Sequence, residues 1–66
     1  MTLIINSTDE KTVKYNVVFN KNDYTEVIGY RIEFYDHINH KTLYFNYDLN
    51  EHDKAIKKYN QLSYQL

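Results

Sequence analysis

His37 and His40 stand three residues apart, Arg31 is the only arginine, and tyrosine occurs eight times in 66 residues. These are the side chains with chemistry open to them. A neutral imidazole is a common metal ligand, but a stable site needs three or four convergent ligands. The chain has no cysteine, and the carboxylate nearest the two histidines is Asp36. The spacing therefore predicts two exposed loop histidines, with no metal and no cofactor. A tyrosine nucleophile would need several basic groups around it to stabilise a phosphate and the phenolate, which one arginine does not supply. The acidic pairs Asp9 with Glu10 and Glu51 with Asp53 fall at a turn and on a solvated helix end, rather than in a pocket that could tune a carboxylate for catalysis. No catalytic residue is expected, and the chain reads as non-enzymatic.

Binding is the chemistry left to tyrosine and arginine. Tyrosine joins a large apolar ring to a polar tip, and both residue types are enriched among binding hot spots. Where each one sits depends on the elements that carry it.

Three runs alternate with period two, the signature of half-buried strands. Val13, Tyr15, Val17 and Phe19 share one face of the first, Ile28, Tyr30, Ile32 and Phe34 one face of the second, and Leu43, Phe45 and Tyr47 one face of the third. The polar stretches Lys21 to Thr25 and His37 to His40 separate them, so the runs form an antiparallel meander. A one-residue slip would turn every apolar side chain to the wrong face. The register that also pairs charges sets Lys14 opposite Glu33, Lys21 opposite Glu26 and Phe19 opposite Ile28. In the next hairpin, Phe34 opposite Leu43 brings Asp36 opposite Lys41. Thr2 to Asn6 is β-branched and is a candidate fourth strand, pairing with the Thr12 run across the turn Ser7 to Lys11.

After Asp48 the period changes. Leu49, Ala55, Ile56, Tyr59, Leu62 and Leu66 recur at helical spacing, which predicts a helix from about Asn50 to Gln65. Asp48 with Glu51, or Asn50 with Asp53, provides an N-cap signal, and Asp53 to Lys57 is a favourable i,i+4 pair. His52 falls within the stripe and is expected to be part-buried and hydrogen-bonded to a neighbour. The fold class is α+β: one domain over residues 1–66, a three- or four-stranded antiparallel meander with a C-terminal α-helix packed on one face.

This arrangement divides the tyrosines. Tyr15, Tyr30, Tyr47 and Tyr59 point inward, whereas Tyr35 and Tyr44 stand on the open sheet face around Arg31. Tyr24 belongs to a hairpin loop and Tyr64 to the far flank of the helix. The candidate protein-binding residues are Arg31, Tyr35, Tyr44, Glu33 and Lys14. Gly29 joins them, because a glycine inside a strand often marks the close approach of a ligand or another backbone. The competing reading is a solvated face on which Lys14, Glu33 and Arg31 pair locally.

Eight basic side chains against nine acidic ones give a formal net charge of −1. Nucleic-acid binders carry a basic face, so direct binding of DNA or RNA is not expected. Leu3, Ile4 and Ile5 form too short an apolar patch for a signal peptide or membrane span, and without cysteine there is no disulfide staple. The chain reads as cytoplasmic. Its Asn, Lys, Tyr and Ile bias suggests an AT-rich coding sequence, such as that of a low-GC bacterium or its phage. The functional expectation is a protein-binding module, of the kind by which a phage or mobile element inhibits a larger host enzyme or defence nuclease. The alternative is a homo-oligomer, such as a homodimer, that associates through a sheet edge or face.

Overall fold

The computed structural model describes every residue from Met1 to Leu66. Four strands, β1 (Thr2–Ser7), β2 (Lys11–Asn20), β3 (Asp23–Asp36) and β4 (Lys41–Asp48), lead through a single 3₁₀ turn (Leu49–Glu51) into one helix, α1 (His52–Ser63). The sheet order is β1-β2-β3-β4, so every strand pairs with its neighbour in sequence. This is the expected α+β meander in its four-stranded form. No helix is long and apolar enough to cross a membrane.

The core forms where the apolar face of the sheet meets α1. Val13, Tyr15, Ile32, Ala55, Tyr59 and Leu62 are buried together, with Tyr30, Phe34, Phe45, Tyr47 and Leu66 packed against them. One inward pair interlocks edge-on, Tyr15 with Tyr59, at ring centroids 6.2 Å apart and an interplanar angle of 88°, while Tyr15 and Tyr30 are tilted at 35°. Such T-shaped pairs add roughly 0.5–1.5 kcal/mol beyond area burial.

Between β3 and β4 the register is as expected, with Phe34 opposite Leu43 and Asp36 opposite Lys41. Asp36 closes the intervening loop by accepting from the Ile38 N–H at 2.9 Å, the Asn39 N–H at 3.1 Å and the Asn39 amide at 2.8 Å. His40 ends that loop in the left-handed region at φ 55°.

Between β2 and β3, Lys14 does lie opposite Glu33, and Val18 opposite Gly29. Beyond that point the expected register fails. Phe19 pairs with Val27 rather than Ile28, and Asn20 with Asp23, which leaves Lys21 in the turn rather than opposite Glu26. Polar side chains hold this shorter turn. Asn20 accepts from the Asn22 N–H at 3.0 Å, and Asp23 accepts from the Thr25 N–H at 3.0 Å and the Thr25 hydroxyl at 2.6 Å. Ile28 is thereby left over as a bulge and is 47% exposed, not an inward residue. Tyr24 is part of β3 rather than of a loop.

The helix is shorter than expected because its first turn is 3₁₀ and its last residues unwind after Ser63. Glu51 reaches back to accept the Asp48 N–H at 3.0 Å, which fits the Asp48 to Glu51 start rather than the one at Asn50. Lys54 pairs with Glu51 at 3.2 Å, and Asp53 makes no ion pair with Lys57. The buried stripe is also narrower, since Leu49 is 51% and Ile56 38% exposed while Ala55, Tyr59 and Leu62 are buried. His52 is not hydrogen-bonded. Its half-exposed ring lies edge-on to Tyr30 at 5.1 Å and Tyr15 at 6.5 Å. At the other end of the sheet, Leu43 on the helix side is 56% exposed because α1 does not reach it.

The molecule is a slab of 36 × 22 × 15 Å with a radius of gyration of 12.3 Å. A compact chain of this length has a radius of gyration of roughly 10.8 Å. One broad side of the slab is taken by α1 and the other is bare.

Candidate functional site

The bare side is the sheet face opposite α1, and strand alternation decides what stands on it. Lys14 and Glu33, Asn16 with Arg31 and Asn46, and Thr12 with Tyr35 and Thr42 are cross-strand neighbours there. Tyr44 completes the Lys14 row. On β1, Ile5 opposite Lys14 and Ser7 opposite Thr12 widen the face. Arg31, Tyr35, Tyr44, Glu33 and Lys14 are thus brought together on one surface, in the expected order.

Arg31 is fixed from two sides. Its Nε donates to Asn46 Oδ1 at 2.8 Å, and its guanidinium carbon lies 5.7 Å from the Tyr44 ring centroid. A cation over a ring at this range is worth about 0.5–1 kcal/mol when exposed. The Tyr44 ring is 56% exposed, so it offers its remaining surface to solvent. Lys14 and Glu33 form an ion pair at 3.5 Å beside them. Arg31 takes no part in that pair, so the local pairing of all three charges does not occur.

Gly29 does not hold a ligand notch. A β-carbon there would stand 2.6 Å from the Tyr47 carbonyl oxygen, so the close approach this glycine permits is that of β4 itself. A shallow hollow does exist beside Val18, lined by Asn16, Val18, Arg31, Glu33, Met1 and Tyr24. Glu33 also lines a second hollow with Thr12, Lys14, Tyr35 and His37. Glu33 thus borders both hollows.

Tyr24 enters the site through the bulge at Ile28. Val27 opposite Phe19 shows that the bulge inverts the alternation of β3, and a second register shift follows before Asp23 meets Asn20. Tyr24 lines the hollow on the open face with Asn16, Val18, Arg31 and Glu33 and is 78% exposed.

A polar chain at the other end of the face also escaped the sequence reading. Ser7 Oγ lies 2.7 Å from Thr12 Oγ1, which lies 2.7 Å from His37 Nε2. His37 further sets its ring edge-on to Tyr35 at 4.7 Å, and His40 Nδ1 approaches the Tyr35 hydroxyl at 3.4 Å. Both histidines are exposed loop residues, as expected, and both lie against Tyr35. Alternation carried the signal for His37, which follows Tyr35 by two positions, and Ser7 follows once β1 pairs with β2. No three His, Cys, Asp or Glu side chains are grouped to hold a metal ion.

No protein-family model, no curated protein and no solved structure matches this chain.

Proposed function

We propose that this chain is a non-enzymatic protein-binding module that occupies a surface of a larger protein with its open sheet face. One observation carries the reading: Arg31 is held in place by Asn46 and Tyr44 on a broad face that no other element covers. A guanidinium fixed before binding loses less side-chain entropy on association, and Tyr44, Tyr35 and Tyr24 surround it with rigid amphipathic contacts. Binding of this kind blocks by occlusion. Inhibition of a host enzyme or defence nuclease by a phage or mobile-element product is the setting that suits it. A fold independent of disulfides also suits a reducing cytoplasm.

The test is affinity capture from a low-GC bacterial host lysate, followed by titration of the captured protein. One dominant partner is expected, bound about 30-fold more weakly by Arg31→Ala and by Tyr44→Ala, the scale of a hot-spot loss. Lys57→Ala, on the exposed side of the helix, should bind like the parent chain. Capture of nothing specific, or equal binding by all variants, would sink the reading.

A further inference from the structure

β1 is an edge strand with neither cover nor charge. Its residues Thr2–Ser7 contain no ionisable side chain, and Leu3, Ile4 and Ile5 are 52%, 49% and 58% exposed. Sheet edges are ordinarily blunted by charged side chains. The opposite edge follows that practice: β4 begins at Lys41 and ends at Asp48, and Lys58 of the helix lies 4.6 Å from the Phe45 ring centroid.

The free hydrogen-bonding groups of β1 can be assigned. The Thr8 N–H donates to the Lys11 carbonyl at 2.8 Å, at the end of a ladder that runs through Ser7 opposite Thr12 and Asn6 opposite Val13. Paired and unpaired positions alternate along an antiparallel ladder. Asn6 and Ile4 therefore turn their amides toward β2, and the N–H and C=O groups of Ile5 and Ser7 point outward. The helix leaves this margin open, so Asn6 faces an open groove bordered by Tyr59, Asn60, Ser63 and Tyr64.

We propose that β1 pairs antiparallel with β1 of a second copy of this chain, about a two-fold axis through Ile5, giving a continuous eight-stranded sheet. A strand serves as its own partner only if self-pairing creates no like-charge contact and matches face to face. β1 meets both conditions. Ile5 of one copy lies opposite Ile5 of the other on the open face, and Ile4 lies beside Asn6 on the helix side. Ile4 and Ile5 of both copies then fall within the paired stretch, and the outward amides of Ile5 gain partners. A bulge between Thr2 and Ile4 limits the regular stretch, which places the interface at the small, weak end of the size range.

Sedimentation equilibrium over about two decades of concentration, up to about 1 mM, tests the proposal. The parent chain should pass from monomer to dimer. Ile5→Lys places two ammonium groups face to face on the axis and should weaken the dimer about tenfold or more, whereas Leu43→Lys on the other edge should leave it intact. Amide exchange of the parent chain gives an independent reading, in which protection of Ile5 and Ser7 rises with concentration. A chain that stays monomeric throughout, a dimer indifferent to Ile5→Lys, or protection that grows on β4 instead would overturn it. Arg31→Ala should dimerise normally, so failure here is distinct from failure of the open face to bind a partner.

Discussion

Tyr15 shows how far a single residue's environment departs from what its type suggests. Its ring is almost wholly buried, and its hydroxyl has no hydrogen-bond partner within the chain. Burial, and after it the neighbouring Tyr30, pushes its pKa up. A group whose pKa rises on folding contributes stability that is intact below the unfolded value and is lost as pH climbs through the folded one. Tyr15 therefore weakens the fold only in alkali, above about pH 10. Tyr15→Phe keeps the ring and discards an unpaired polar atom. It should change stability by no more than about 1 kcal/mol in either direction at neutral pH and make the alkaline limb of a pH–melting curve shallower. A loss of several kcal/mol on chemical denaturation would mean that the hydroxyl has a partner after all. The inward placement of Tyr15, Tyr30, Tyr47 and Tyr59 was legible from alternation and helical spacing. The orientation of Tyr24 was not, because it depends on a bulge that no side-chain pattern announces.

At the scale of elements, the close contact between β3 and β4 rests on Gly29. A β-carbon at that position meets the Tyr47 carbonyl at 2.6 Å, and a backbone oxygen in a ladder cannot move aside as a flexible side chain can. Gly29→Ala should cost about 1–3 kcal/mol, the scale of overpacking a tight site, and thermal unfolding would report it. A neutral result would show that β4 shifts freely at its C-terminal end. Hairpin register was readable where charge and apolar pattern agreed, as at Lys14 with Glu33 and at Asp36 with Lys41. It failed at Phe19, where Asn20 and Asp23 favour a tighter turn than charge pairing of Lys21 would allow. The helix stripe was read too wide, because periodicity marks Leu49 and Ile56 as candidates but does not reveal how far the sheet extends beneath them.

For the molecule as a whole, three carboxylates sit at the three joints after β2: Asp23 at the β2–β3 turn, Asp36 at the β3–β4 loop and Glu51 at the start of the helix. Each is held below its ordinary range. Asp23 owes this first to the Thr25 hydroxyl, Asp36 to the Asn39 side chain, and Glu51 to the Asp48 N–H and then Lys54. Depressed carboxylates contribute stability that is present above their unfolded values and is lost as pH falls through the folded ones. The fold should therefore weaken below about pH 4, at these three joints. Asp36→Asn should flatten that acid limb in a pH series of melting curves, and an unchanged limb would count against the assignment. The slab these joints hold together contains one glycine, and it is the one in β3 that lies against the backbone of β4. Every codon reachable from a glycine codon by a single nucleotide change, apart from synonyms and a stop, encodes a residue with a β-carbon. Any substitution of Gly29 therefore carries the same contact with the Tyr47 carbonyl, and change at this position calls for a compensating shift of β4.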